Sequence, residues 1–585
     1  MELEDIRMLV YGKYVRKYWK LFSVAVFILT LEAMADLLLP TLMAQIIDEG
    51  VALKQMDVVW KLGGFMLVIT ALGALAASAR NIIATHVSQR FGNELRADLF
   101  RKIQSLSFES IDKFERASLI TRLTNDVSQV QNMINGLMRI FAKAPLLCIG
   151  GIIMAIRLDP HLAIVLVVVV PIVGLLIVIN MNTGYPRFMK VQKALDKVNR
   201  TIREYLSGVR VVKAFNRFDY EEDKFEQANV EYQASSIHVM RVMTIFNPAI
   251  MLTVNLGIIM VIWLGSRWVQ EGTMQVGVIV AFINYMIQIL FALMLISMVF
   301  NMFIRAKASA SRIGEVLIQV DPMTWEAGAV DHMREKGSVE FENVSFFYPS
   351  LSRAPVLRNV SFTCQPGETV AIIGSTGSGK SSLISLIPRF YEASSGMIKV
   401  NGVDVSKLDP QVLRETIAVV PQKSVLFTGT ILENIRWGKE AASTEDIESA
   451  AKVAEAHPFI EELPEGYDTR LGQRGVNLSG GQKQRISIAR ALVRKPEILI
   501  LDDCTSAVDM ETEARIKEAL KQYASGMTCL LIAQRITSVM DADKIIVLDQ
   551  GGIVGMGKHE MLMKTCRVYQ EIYQSQMGKD VQSDV

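Results

Sequence analysis

Two stretches of this chain hold the residue types that phosphate chemistry needs. GSTGSGKSS comprises Gly374, Ser375, Thr376, Gly377, Ser378, Gly379, Lys380, Ser381 and Ser382, after the apolar run TVAII and before SLISLIPRF. Glycines let such a loop curl until its backbone N–H groups point at phosphates, Lys380 brings a charge to the outer phosphates, and Ser381 offers a hydroxyl to Mg²⁺. A helix starting there turns its positive end toward the same anion. A flexible Gly/Ser loop is the plain alternative, but it leaves the preceding strand and following helix unexplained. The second stretch, ILILDDCTSAVD, runs from four apolar residues into the adjacent acids Asp502 and Asp503. Asp502, at the end of a buried strand, stands where a Mg²⁺-holding carboxylate belongs. Together the two motifs predict a nucleoside triphosphate site.

These motifs need an α/β scaffold, and the C-terminal half has that pattern. SVEFENVSFFYP opens an alternating strand pattern, and residues 338–578 read as one α/β domain behind a polar linker at 321–337, with a short tail at 579–585. Residues 1–320 differ sharply. Six stretches, about 21–45, 58–82, 138–157, 161–182, 246–268 and 276–304, have the roughly 20 apolar residues of a membrane-crossing helix. The links after spans one, three and five are short, the third being little more than Leu158-Asp159-Pro160, whereas 83–137 and 183–245 are long. The long links collect the basic residues, among them Arg90, Arg96, Arg101, Lys190, Lys193 and Arg200, which places them and both chain ends in the cytoplasm. Within them ELRADLFRKIQSL and DKVNRTIREYL keep helical periodicity, so the membrane helices are expected to run on into the cytoplasm, reverse and return; a separate hairpin is the alternative. The N-terminus, MELEDIRMLVYGKYVRKYWK, lacks the pattern of a cleaved signal and reads as an amphipathic helix lying on the membrane surface.

Composition narrows the function. Half of the 585 residues are apolar and mean hydropathy is +0.28, too greasy for an ordinary soluble enzyme, while a net charge of +2 suggests no nucleic-acid partner. Five scattered cysteines form neither a disulfide framework nor a metal knot. Glu32 and Asp36 sit four apart in the first span, where charge is expensive. They read either as a patch in an internal cavity for cationic, amphipathic cargo, or as a hydrated or inter-helix hydrogen-bonded pair. The 30 Met residues would suit an adaptable binding wall, or simply face lipid.

NLSGGQKQR, just before the acidic strand, resembles the signature of ATP-binding cassette proteins, with Leu478, Ser479, Gly480, Gly481 and Gln482 as its core. Other family elements follow in order: Tyr348 as the adenine-stacking aromatic, Pro421-Gln422 as the Q-loop, and Ser506, Ala507, Val508 and Asp509 as the D-loop. With FESIDKFERASLITRLTND and LSGVRVVKAFNRFDYEEDKF, the whole chain resembles an exporter half-transporter; Ala117 departs from a Gly frequent in that family. The resemblance implies an all-α six-helix transmembrane domain with long cytoplasmic helix extensions, fused to an α/β P-loop ATPase domain. It implies ATP and Mg²⁺ as cofactors, with Ser381, Gln422 and Asp502 around the metal, and a dimer in which Ser479, Gly480 and Gly481 close over the partner's ATP. The loop tips near Ser110–Glu115 and Phe215–Tyr220 would then be coupling helices.

Against that pattern, Asp503 replaces the family's water-orienting Glu, Gln534 replaces the His that contacts the γ-phosphate, and Gln473 replaces a usual Glu before the signature. Asp is a methylene shorter, roughly 1.3 Å of reach, and Gln cannot carry an imidazolium charge. A tolerated carboxylate-for-carboxylate exchange is the alternative for Asp503 alone. Both changes together, beside an intact LSGGQ, resemble the degenerate-site subunit of bacterial heterodimeric multidrug exporters of the BmrC-like type. The expectation is a multi-pass protein of the bacterial plasma membrane exporting amphipathic drugs, with a different half-transporter supplying an intact Glu/His site. The alternatives are lipid or peptide cargo and, for the assembly, a hydrolysis-competent homodimer.

Overall fold

The computed structural model describes residues 3–320, 323, 336–348, 354–523 and 526–578, so the expected linker lies almost wholly, and the expected tail wholly, outside the described residues. The chain divides into two compact units, one of residues 1–104 with 116–319, the other of 105–115 with 320–585.

The first unit is helical. It contains α1 (Leu3–Gln45) and α2 (Met56–Ser105), while the short α3 (Phe108–Asp112) belongs to the second unit. It continues with α4 (Arg116–Thr121), α5 (Val127–Gly136), α6 (Lys143–Leu158), α7 (Ala163–Ala214), α8 (Phe218–Met243), α9 (Phe246–Gln270) and α10 (Val276–Ile318). Among the described residues, six helical stretches are long and apolar enough to cross a membrane, and the expected spans fall on them. The fourth begins at Ala163 because the Asp159 carboxylate accepts from the backbone N–H groups of His161 and Leu162, at 2.8 and 3.0 Å, which closes the turn first. α2 and α7 continue unbroken far past their apolar windows, so the continuous-helix reading holds. The return from α2 is less regular: π-helical turns at Arg122–Asp126 and Leu137–Phe141 interrupt the path through α4, α5 and α6.

The N-terminus departs from the expected surface helix. α1 is a single helix from Leu3 through the first span. Lys13 and Tyr14 both bond Asp98, each at 2.5 Å, and one turn on Lys17 and Tyr18 both bond Glu94, at 2.5 and 2.8 Å. These basic and phenolic groups meet acids on α2, which holds the helix along a neighbour. At the α7–α8 turn Phe215 and Tyr220 stay exposed, with Arg217 stacked 5.0 Å over the Tyr220 ring. The buried core gathers Leu162, Val173, Val261, Phe282, Tyr285 and Ile289. The Tyr285 hydroxyl, which must be partnered when buried, bonds the Leu37 carbonyl (2.6 Å) and Thr41 (2.7 Å).

The second unit is α/β. Its strands are β1 (Val339–Phe346), β2 (Leu357–Cys364), β3 (Thr369–Gly374), β4 (Ser395–Val400), β5 (Val403–Asp404), β6 (Ile417–Val420), β7 (Gly429–Thr430), β8 (Arg470–Leu471), β9 (Ile498–Asp502), β10 (Thr528–Ile532), β11 (Lys544–Asp549) and β12 (Gly552–Gly557). One sheet has the order β2-β1-β4-β5 and another β12-β11-β3-β10-β9-β6, with β7 and β8 forming a small ribbon. In the larger sheet β10 lies between β3 and β9, all parallel, with Ile532 beside both Ile372 and Asp502. This register brings the loop after β3, the acids after β9 and Gln534 after β10 to one edge, the carboxyl ends where α/β sheets place ligands. α3 packs in this unit: Phe108 lies 4.9 Å from the Phe390 ring, and the Tyr391 hydroxyl donates to Asp112 at 2.6 Å.

Candidate functional site

The phosphate loop leaves the buried strand β3 and turns into the helix Lys380–Leu386. Gly377 and Gly379 have φ of +84° and +98°, a region glycine enters without penalty. A Cβ at Gly374 would stand 2.1 Å from the Leu548 carbonyl oxygen, so only glycine lets the loop pass β11. Lys380 bends back over this curl, its ammonium donating to the carbonyls of Gly374 and Ser375, each at 2.8 Å. Burial lowers its pKa, with Asp503 and Asp502 pulling the other way. The ammonium thus waits on weak neutral acceptors, which an incoming phosphate outbids.

Asp502 ends the fully buried strand ILILD, and the Ser381 hydroxyl donates to its Oδ1 at 3.2 Å. Burial raises the Asp502 pKa; the Ser381 bond opposes this, and neighbouring Asp503 adds to it. Among the described residues no group of three or more His, Cys, Asp or Glu is arranged so that it could hold a metal ion by itself. Mg²⁺ held with a nucleotide needs only one or two protein oxygens, and the touching Ser381–Asp502 pair fits that requirement. The positive charge would relieve what makes Asp502 costly, and would neutralise phosphate charge beside the loop.

Asp503 follows Asp502 directly and is held by its neighbours. It is 9% exposed and has φ +46°, and its N–H is tied to the Ile532 carbonyl at 2.9 Å. Its Oδ2 accepts from the Gln534 side-chain amide at 2.9 Å and from that of Gln422 at 3.1 Å. The Q-loop glutamine, expected near the metal, is therefore engaged with Asp503 here. Gln473 is exposed and forms part of a short 3₁₀ turn ahead of the signature.

The signature is a helix start. Ser479 caps the helix Gly480–Leu492, its hydroxyl accepting from Gln482 N–H at 3.3 Å while the Gln482 side chain accepts from Ser479 N–H at 2.9 Å. A Cβ on Gly481 would lie 2.8 Å from the Ala507 carbonyl oxygen, so the signature and the Ser506–Asp509 loop are pressed together. Leu478 is buried beneath them. Asp509 caps the next helix through Thr512 N–H at 2.9 Å, a bond that lowers its pKa. Tyr348 sits beside the phosphate loop, its hydroxyl 3.0 Å from Ser382 and its ring edge-on to Phe346 and Tyr391.

Sequence reasoning missed two residues here. Gln484 accepts from Ala507 N–H at 3.0 Å and reaches Ser506 at 3.3 Å, fastening the D-loop to the signature helix. Buried Glu513 bonds Ser538 and Arg535, bracing the turn after Gln534. Both are polar residues spaced along helices at positions that bury them, the available signal. In the first unit, Glu32 and Asp36 are not a bare acidic patch. Lys143 bridges them at 2.6 and 2.9 Å, and Arg80 faces Glu32 at 3.3 Å, so two acids meet two bases. The inter-helix reading of these residues fits the structure; an acidic attractor for cations does not.

Comparison with known proteins matches this geometry. Residues 22–294 match the family model of the ABC transporter transmembrane region, and 357–506 that of the ABC transporter. The chain is 44% identical over 567 residues to the "Uncharacterized ABC transporter ATP-binding protein YfiB" of Bacillus subtilis, covering 97% of this chain and 98% of that one. It is 37% identical over 572 residues to the similarly described Rv1273c of Mycobacterium tuberculosis, covering 96% and 97%. Among solved structures it is similar to a bacterial Atm1-family ABC exporter with ATP bound, with a TM-score of 0.79 at 26% identity, over 96% of this chain and 99% of that one.

Proposed function

Since the chain belongs to the ABC transporter family, as an ATP-driven, multi-pass exporter half with one cassette, we propose that it works as the weaker of two unlike halves. Its own site, built on Lys380, Ser381 and Asp502, holds Mg²⁺-ATP and cleaves it slowly. Its LSGGQ completes a fast site on a different partner chain that carries the intact Glu and His. The observation that carries this reading is Asp503, short and held on one oxygen by the Gln534 and Gln422 amides, next to a well-formed signature cap. A general base must reach its proton directly or through one water, and this carboxylate is occupied elsewhere.

The cargo is an amphipathic small molecule of the drug type, moved out across the bacterial plasma membrane, with the cassette and both chain ends cytoplasmic as the basic long links indicate. The neutralised Glu32–Asp36 pair removes the sequence argument for cationic cargo in particular. Lipids and peptides therefore stand beside cationic dyes as probes.

ATPase activity is the test, measured on the full chain alone, with a co-purified candidate partner, and with that partner's own base removed. Slow turnover alone, fast turnover in the mixture and loss on removing the partner's base are expected. Brisk turnover by this chain alone, abolished by Asp503→Asn, would overturn the reading in favour of a hydrolysing homodimer.

A further inference from the structure

The paired charges inside the membrane half do more than cancel. Glu32 and Asp36 lie one turn apart on α1, Arg80 on α2 and Lys143 at the first residue of α6. The Glu32 and Arg80 side chains are each only 7% exposed, and Lys143 is 22% exposed. Lys143 is tolerated at this depth because two carboxylates of another helix hold it. Arg80 donates in addition to the Arg139 carbonyl at 2.9 Å, inside the π-helical turn Leu137–Phe141 that leads into α6. Arg80 thus ties α1 to the irregular approach to α6, and Lys143 ties α1 to α6 itself. One Glu32 oxygen and the Arg80 Nε are buried without hydrogen bonds, so the cluster is incompletely satisfied.

The packing beside the cluster is of small residues. Ala33, Leu147 and Ala292 form a compact buried contact of α1, α6 and α10, and a Cβ on Gly150 would stand 2.4 Å from Leu37. In lipid such seams have no hydrophobic driving force of their own and rely on close fit and polar bonds. Between α1 and α6 themselves, the bonds of Lys143 to Glu32 and Asp36 supplement this close fit, while Tyr285 ties α1 separately to α10.

We infer that Lys143 and Arg80 are positioning residues for the transport step: their charges keep α1 packed on α6 in this conformation, and release of Lys143 from the two α1 carboxylates is what frees α1 to move away. A cluster that only supported folding would behave differently when neutralised. Amides in all four places could still hydrogen-bond and pack, and the helix arrangement would stay as it is.

The experiment uses the full chain in lipid nanodiscs without nucleotide or cargo, so its outcome is independent of the partner and hydrolysis reading. Spin labels go at Leu38 on α1 and Ile149 on α6, both exposed, and their distance distribution is read by pulsed electron resonance. The wild-type charges should give one narrow short distance, and Lys143→Arg should keep it. Lys143→Met, and the neutral quadruple Glu32→Gln, Asp36→Asn, Arg80→Gln, Lys143→Gln, should raise the ratio of separated to packed populations about tenfold, within the range of ordinary conformational couplings. A quadruple variant that folds and keeps the wild-type distribution would overturn the inference. So would Lys143→Arg separating the helices as Lys143→Met does.

Discussion

Restoring the reach of the acid at position 503 is the sharpest perturbation of the nucleotide site. Asp503→Glu moves the carboxylate outward by roughly 1.3 Å, past the two amides that now hold Oδ2 at 2.9 and 3.1 Å. A well-placed general base contributes about 10²–10⁴ in rate. A hydrogen bond to a charged group is worth about 1.5–3 kcal/mol, and giving one up costs about one to two orders of magnitude at about 1.4 kcal/mol per tenfold. With Gln422 and Gln534 still in place, the single variant is expected to gain only about 10–100-fold over the wild type. Adding Gln534→His replaces that side-chain amide with an imidazole that can carry charge to the γ-phosphate, so the double variant should approach the full range. Phosphate release by the full chain in lipid, with ATP affinity measured alongside by calorimetry, checks this. The reasoning fails if both variants bind ATP normally yet turn over at the wild-type rate. A single variant that already reaches the double variant's rate would refute the role given to the glutamine amides.

Other consequences are more direct. Lys380→Ala removes the ammonium from the glycine curl and should weaken nucleotide binding at least about 100-fold, as expected for a charge-assisted phosphate contact; calorimetry against ATP checks it. Because Asp502 has its pKa raised, its carboxylate starts to be lost while the pH is still above the ordinary carboxylate value of about 4. Mg²⁺ needs the ionised form, so metal-dependent ATP affinity should fall on acidification already in that higher window; Mn²⁺ titrations across pH read it, and a flat response down to the ordinary range would refute it. Glu513→Ala strips Ser538 and Arg535 of their buried acceptor and should cost about 2 kcal/mol, less than a wholly buried pair because Arg535 stays partly exposed. A lowered cassette unfolding midpoint in calorimetry reports that loss.

Much of the architecture could be read from local patterns. The apolar runs, the glycine loop and the strand ILILD each carry their signal within about a dozen residues, and each stands on the expected element. What could not be read depends on partners far away along the chain. Lys13 and Lys17 look like a membrane-surface face until Asp98 and Glu94 appear opposite them, 85 and 77 residues later. Glu32 looks like an open acid until Lys143, 111 residues on, reaches it. The Asp503 exchange was visible as chemistry, but the two glutamines meeting on one oxygen depend on parallel strand register, which no local pattern fixes.

The left-handed backbone at Asp503 has a consequence for how such a site drifts. Among side-chain-bearing residues, Asp and Asn occupy that region several-fold more readily than others, since a short polar side chain can hydrogen-bond locally. At φ +46°, then, the fold itself leans toward Asp while water activation asks for Glu. A cassette required to hydrolyse has to hold the longer acid against this lean. On the reading proposed above, with hydrolysis carried by a partner, this lean acts unopposed at position 503.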